Sequence, residues 1–272
     1  MCFNPPVISH SPDPMLETAK LKRRELWPIL ASMGGICLLC WLYLWRMAAD
    51  MDAMMLAMPD MPVPEWDTAY AALMFLMWAI MMIGMMLPSV TPTVLVYAGM
   101  HRKARQRGHP IAPTACFISG YLLMWIAFSA LATALQWLLD EKALLSPMMR
   151  SNNGDFAAGL LIIIGLYQCL PLKESCLRHC RSPIEFISEH WRKGYAGALI
   201  MGIHHGLYCV GCCWLLMGLL FFGGVMNLLW IGGITLFVLL EKILPMGLFA
   251  ARTLGLMLVA GGVLILLRAA PG

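Results

Sequence analysis

The chain reads as all-α: a polytopic transmembrane helix bundle of about seven spans, with six the alternative and the N-terminus inside. Three observations carry this reading. Of 272 residues, 60% are hydrophobic and only 12% charged, at a mean hydropathy of +0.74, whereas a soluble domain carries about 25% charged residues. Apolar runs recur at lengths near the roughly 20 residues that a spanning helix needs. Basic residues gather in alternate connections, which fixes orientation.

Residues 1–26 form a cytosolic, disordered tail: they hold Pro and Ser and lack the apolar stretch of a secretory signal. Residues 27–268 form the bundle, with helices at 27–47, 68–99, 113–139, 157–171, 195–222, 227–244 and 249–267. The second carries Pro88 and Pro92, which predicts a kink or an early end. The fourth is short for a span. The last two are divided only by Glu241, Lys242, Pro245 and Gly247. A Met-rich outer loop occupies 48–67 and a Cys-containing inner loop 172–194. With the N-terminus inside, 15 basic residues lie inside and four (Arg46, Lys142, Arg150 and Arg268) outside.

Several classes of function fall away. A net charge of +4 is too small for a nucleic-acid footprint, so the expected partner is the lipid bilayer. Ten cysteines, most inside apolar runs, do not make a secreted disulfide framework. The chain has no Gly-rich phosphate loop and no Asp-Lys-Thr-Gly motif, which argues against a primary metal pump.

The densest chemistry lies in the fifth helix. Met201, His205, Cys209 and Cys212 fall within about 80° of one another at 100° per residue, with His204 and Cys213 adjacent. Thioether, imidazole and thiol are ligands for Cu(I), with zinc the second metal they suit. The competing reading is a packing seam of small residues. In the second helix Met74, Met77, Met81 and Met85 make a stripe, joined by Met82 and Met86. Both clusters sit near mid-helix, so the two helices are expected to share one pocket.

Two loops add candidates. The outer one holds five Met and three Asp between Asp50 and Pro62, read equally as a Cu(I)-collecting segment or as interfacial filler. The inner one holds Cys176, His179 and Cys180 beside Lys173, Arg178 and Arg181. In the cytosol these thiols would stay reduced and accessible, ready to bind or hand over a soft metal; a basic, lipid-facing loop is the alternative. Cys37 and Cys40 are spaced as a pair but read as packing. Glu241 and Lys242 read as a snorkelling pair at a helix end, with an intramembrane carboxylate and its own counter-ion as the alternative.

Three runs together resemble a bacterial family described as predicted metal-binding integral membrane proteins of uncharacterised function. They are Trp78 to Ser89 with its paired methionines, Tyr167 to Pro183, and Gly206 to Met217 with its Tyr-Cys-Val-Gly-Cys-Cys-Trp core. Glu241 to Pro245 completes the set. The resemblance covers about residues 70–267 and implies metal binding and a multi-pass position in the bacterial inner membrane. It assigns no reaction. The leading expectation is copper transfer or delivery to or from a donor or acceptor protein, rather than catalysis. The alternatives are a metalloenzyme or subunit of a metal-dependent membrane oxidoreductase, and a structural subunit without metal.

Overall fold

The protein, in a computed structural model, is described over residues 23–57, 65–106, 108, 112–146, 149–151, 153–244 and 247–269. Residues 1–22 of the expected tail, and Met58, Asp60 and Met61 of the outer loop, lie outside the described residues. The helices are α1 Arg23–Ala57, α2 Thr68–Gln106, α3 Thr114–Glu141, α4 Gly154–Cys169, α5 Pro171–Arg181, α6 Pro183–Glu189, α7 Gly194–Gly223, α8 Leu228–Ile243 and α9 Gly247–Ala269. Each of the seven expected helices is present.

The expected seven spans are not reached, and the alternative of six is the upper bound among the described residues. Among the described residues, α1, α2, α3, α7 and α9 are long and apolar enough to cross a membrane, and the bent pair α4–α5 makes a sixth. The 16 residues of α8 rise about 24 Å at 1.5 Å per residue, short of the roughly 30 Å of hydrocarbon. The first half of the outer loop is also helix, because α1 continues through Ala57. The inner loop is largely helical too. Pro171 bends the chain by 62° after α4 and then starts α5, and Pro183 starts α6. Proline suits a first turn, where its missing N–H has no partner to lose.

Neither proline stops α2, which runs helical through Pro88 and Pro92 to Gln106. A proline leaves the carbonyl four residues earlier without its helical donor. For Pro88 that carbonyl belongs to Gly84, and the Cys37 thiol of α1 donates to it at 3.4 Å. The Cys37 side chain therefore replaces the bond that Pro88 cannot make. This is a packing role, as the sequence led us to expect.

α3 and α7 approach closely. A Cβ built on Gly202 would collide with the Phe117 carbonyl, and one on Gly120 with the Leu199 carbonyl. Small residues at such seams let backbones touch where water supplies no drive for association. Gly202→Ala should therefore cost about 1–3 kcal/mol through forced separation. Thermal unfolding in detergent reads this, and an unchanged midpoint would mean that the two backbones do not meet at Gly202.

The core is centred on α2, whose Met74, Met77, Trp78, Met81, Met82, Met85 and Met86 are all buried. Its polar members are paired, as burial demands. Trp78 Nε1 donates to Gln136 Oε1 at 2.7 Å, and Gln136 Nε2 donates to the Met74 sulfur at 3.5 Å. α2 and α7 run antiparallel, with Thr93 level with His205 and Trp78 level with Phe221. That register sets Met85 at the height of Cys213 and Met81 at that of Met217.

Candidate metal centre

The inner face of α7 carries His205, Cys209, Cys212 and Cys213, all buried. Helical periodicity puts His205, Cys209 and Cys212 on one side. Glycines at 202, 206 and 211 leave room for α3 and α5 to press in. The Cys212 and Cys213 thiols donate to the Cys209 carbonyl at 3.1 and 2.9 Å. The Cys180 thiol, from α5, lies in hydrogen-bonding contact with Cys209 and Cys212. Four thiols from two helices thus meet at one level.

Polar groups surround Cys209. Lys242, near the end of α8, donates from Nζ to the Cys209 sulfur at 2.9 Å and to Ser89 Oγ at 3.1 Å. The Tyr121 hydroxyl lies 3.2 Å from the same sulfur and donates to the Met86 carbonyl at 3.1 Å. Having spent its only proton on that carbonyl, it is left to accept from the thiol. One turn away, His205 Nε2 lies 3.4 Å from Thr93 Oγ1, while Nδ1 is buried without a partner. A buried ring nitrogen without a partner is costly unless something binds there.

A second buried pair stands beside this group. Lys173 of α5 meets Glu241 at 2.5 Å, at side-chain exposures of 1% and 2%. The approach lies outside hydrogen-bond geometry, so charge rather than direction holds the pair. Lys173 also donates to Gln168 Oε1. Glu241 and Lys242 therefore do not snorkel as the sequence led us to expect. They turn inward, one to Lys173 and the other to Cys209. Adjacent helical residues point about 100° apart, so one step along α8 serves two partners.

The other expected ligands are dispersed. The Met201 sulfur accepts from the Arg192 backbone N–H at 3.3 Å and so faces the α6–α7 connection. His204 points away from His205 toward His190. His179 stacks on Tyr208, 4.2 Å away and nearly parallel. Cys176 is buried with its sulfur against Gly211. Burial of Cys176 and Cys180 overturns the expectation that both are accessible from solvent: α5 packs its Cys face onto α7 instead of hanging in a loop. Met77, Met81, Met82, Met85 and Met86 are core residues. The groups of α2 that touch the α7 site are Thr93, Ser89 and the Met86 carbonyl.

Sequence reasoning missed Lys242, Tyr121, Thr93 and Ser89 as neighbours of the site. The one available signal was an ionisable pair in an otherwise apolar run, which marks a functional position more often than a surface one.

Among the described residues, no group of three or more His, Cys, Asp or Glu side chains stands close enough together to hold a metal ion as placed. The donor set nevertheless fits a soft cation. It offers several thiols, an imidazole nitrogen with no partner, and a cation placed against the sulfur. Binding would exchange thiol-to-carbonyl hydrogen bonds for metal–sulfur bonds.

The class is that of a hydrophobic helical bundle, consistent with a membrane protein, with buried thiols and an imidazole at its centre. Residues 75–265 match the model of a family described as copper chaperone, well over half of the chain. The chain belongs to that copper chaperone family. No curated protein and no solved structure matches it.

Proposed function

We propose that this protein is a membrane-embedded Cu(I) carrier, which holds the ion as cargo at Cys209, Cys212, Cys180 and His205 and passes it to or from a partner protein. The observation that carries the reading is the Lys242 ammonium set 2.9 Å from Cys209 at the centre of a buried thiol cluster. A thiolate in hydrocarbon is prohibitively costly alone. With Lys242 and a bound metal ion beside it, the cost is offset. The family match supports copper as the metal. The charged residues support a bacterial inner-membrane orientation with Arg102, Lys103, Arg105, Arg192 and Lys193 inside. Antiparallel α2 and α7 bring those residues to one end, where α1 also begins. The N-terminus is then inside as well.

Anaerobic titration of the detergent-purified chain with Cu(I), against a chromophoric chelator, tests this. One tightly held equivalent with sulfur neighbours at the copper X-ray absorption edge is expected. A chain that holds no copper against the chelator overturns the reading. Lys242→Met keeps the stem and removes the charge. It should weaken Cu(I) by about tenfold to a hundredfold, the usual loss when an outer partner of a ligand is removed. An unchanged competition curve would dismiss any role for the ammonium.

A further inference from the structure

Three imidazoles gather outside the thiol pocket. His179 comes from α5, His190 caps the C-terminus of α6, and His204 comes from α7. Ring centroids are 6.3 Å apart for His179 and His190, and 5.8 Å for His190 and His204. Metal–nitrogen bonds of about 2.1 Å place two bound imidazole centroids roughly 5 to 6 Å apart. His190 and His204 already stand at that spacing, and His179 stands slightly farther from His190.

The hydrogen bonds set the tautomers. His179 Nδ1 lies 2.9 Å from the Ser175 carbonyl, and His190 Nδ1 lies 3.1 Å from the Phe186 carbonyl. A carbonyl only accepts, so each neutral ring carries its proton on Nδ1 and leaves a lone pair on Nε2. Imidazole held by a backbone carbonyl through one nitrogen is the usual second-shell arrangement of a metal-binding histidine. No hydrogen bond to His204 occurs among the described residues. All three side chains are part-exposed, whereas Cys209 is buried.

One ring divides this group from the thiol pocket. Phe186 is fully buried, stacks on His190 at 4.7 Å, and meets His205 edge-on at 4.8 Å. An outer imidazole and an inner one thus face each other across a single aromatic side chain.

We propose that His179, His190 and His204 form a separate imidazole station that binds Cu(I) at the mouth of the bundle, one ring away from His205. The proposal deepens the carrier reading and rests on it for the identity of the ion. The station is where the ion waits in water's reach. Phe186 is the side chain that must move for the ion to pass inward.

The test uses the full chain, Cu(I) alone as probe, and anaerobic conditions. Wild type should bind a second, weaker Cu(I) with nitrogen neighbours and no sulfur. His190→Gln/His204→Gln should weaken that second ion at least tenfold and leave the first unchanged. Cys209→Ser/Cys212→Ser should do the reverse. A His variant that binds both ions like wild type overturns the station, as does a wild type without a nitrogen-bound ion. Loss of the sulfur-bound ion alone would sink the carrier reading and leave the station standing. In wild type, where variant folding is not at issue, Cu(I) should also shield His179, His190 and His204 from diethyl pyrocarbonate. Equal modification with and without Cu(I) overturns the proposal.

Discussion

Replacing Cys209 and Cys212 together by Ser should abolish sulfur-bound copper while the chain still folds. Both thiols are buried on the inner face of α7, and Cys209 is the sulfur on which Lys242, Tyr121 and Cys180 converge. Ser keeps the size and the ability to donate to the Cys209-position carbonyl, but its hard oxygen is a poor ligand for Cu(I). The sulfur-bound stoichiometry should fall from one ion per chain to near zero. Met81→Leu/Met85→Leu makes the informative contrast. It keeps volume and apolarity, so stability should change by less than about 1.5 kcal/mol. The register puts Met85 level with Cys213, so copper retention measures whether the α2 thioethers contribute. Full retention in the Cys double variant would refute the α7 site.

The second large effect is on folding. Glu241→Ala leaves Lys173 buried without its counter-charge, and breaking one side of such a pair typically costs about 3–5 kcal/mol. That is a large share of the roughly 5–15 kcal/mol that keeps a domain folded. The double change Lys173→Met/Glu241→Leu removes both charges and should recover most of the loss, because apolar replacements of buried pairs are often neutral. Thermal unfolding in detergent measures both. A single variant as stable as wild type would show that the pair contributes nothing to the fold.

Helices and thiols differed in how plainly the sequence announced them. Apolar runs located all seven main helices, because length and hydropathy are local properties. What local pattern could not show was where polar segments go. Residues 171–189 look like a loop by composition, yet Pro171 and Pro183 each begin a helix and carry Cys180 to the α7 thiols. The α7 face was legible because 100° periodicity puts His205, Cys209 and Cys212 together. The same geometry separates His204 from His205, which adjacency in sequence had joined. Lys242 was illegible in its role: a lysine near a helix end has two ways to satisfy its charge, and only packing of α8 against α2 and α7 selects the inward one. His190 gave no signal at all, since the two imidazoles beside it lie on other helices.

On the proposed reading, the buried charges described above would also bear on which ions the pocket tolerates. Lys173 and Glu241 cancel, leaving Lys242 as a single positive charge beside the thiols. If two thiolates bind, one monovalent ion brings the whole pocket to electroneutrality. A divalent ion in the same place leaves one positive charge in excess. At 4 Å and an effective dielectric of 20, two unit charges interact by about 4 kcal/mol, which sets the scale of that repulsion. A third thiol would have to lose its proton before a divalent ion could be neutralised, so Lys242 would favour the monovalent ion by one deprotonation without touching the metal.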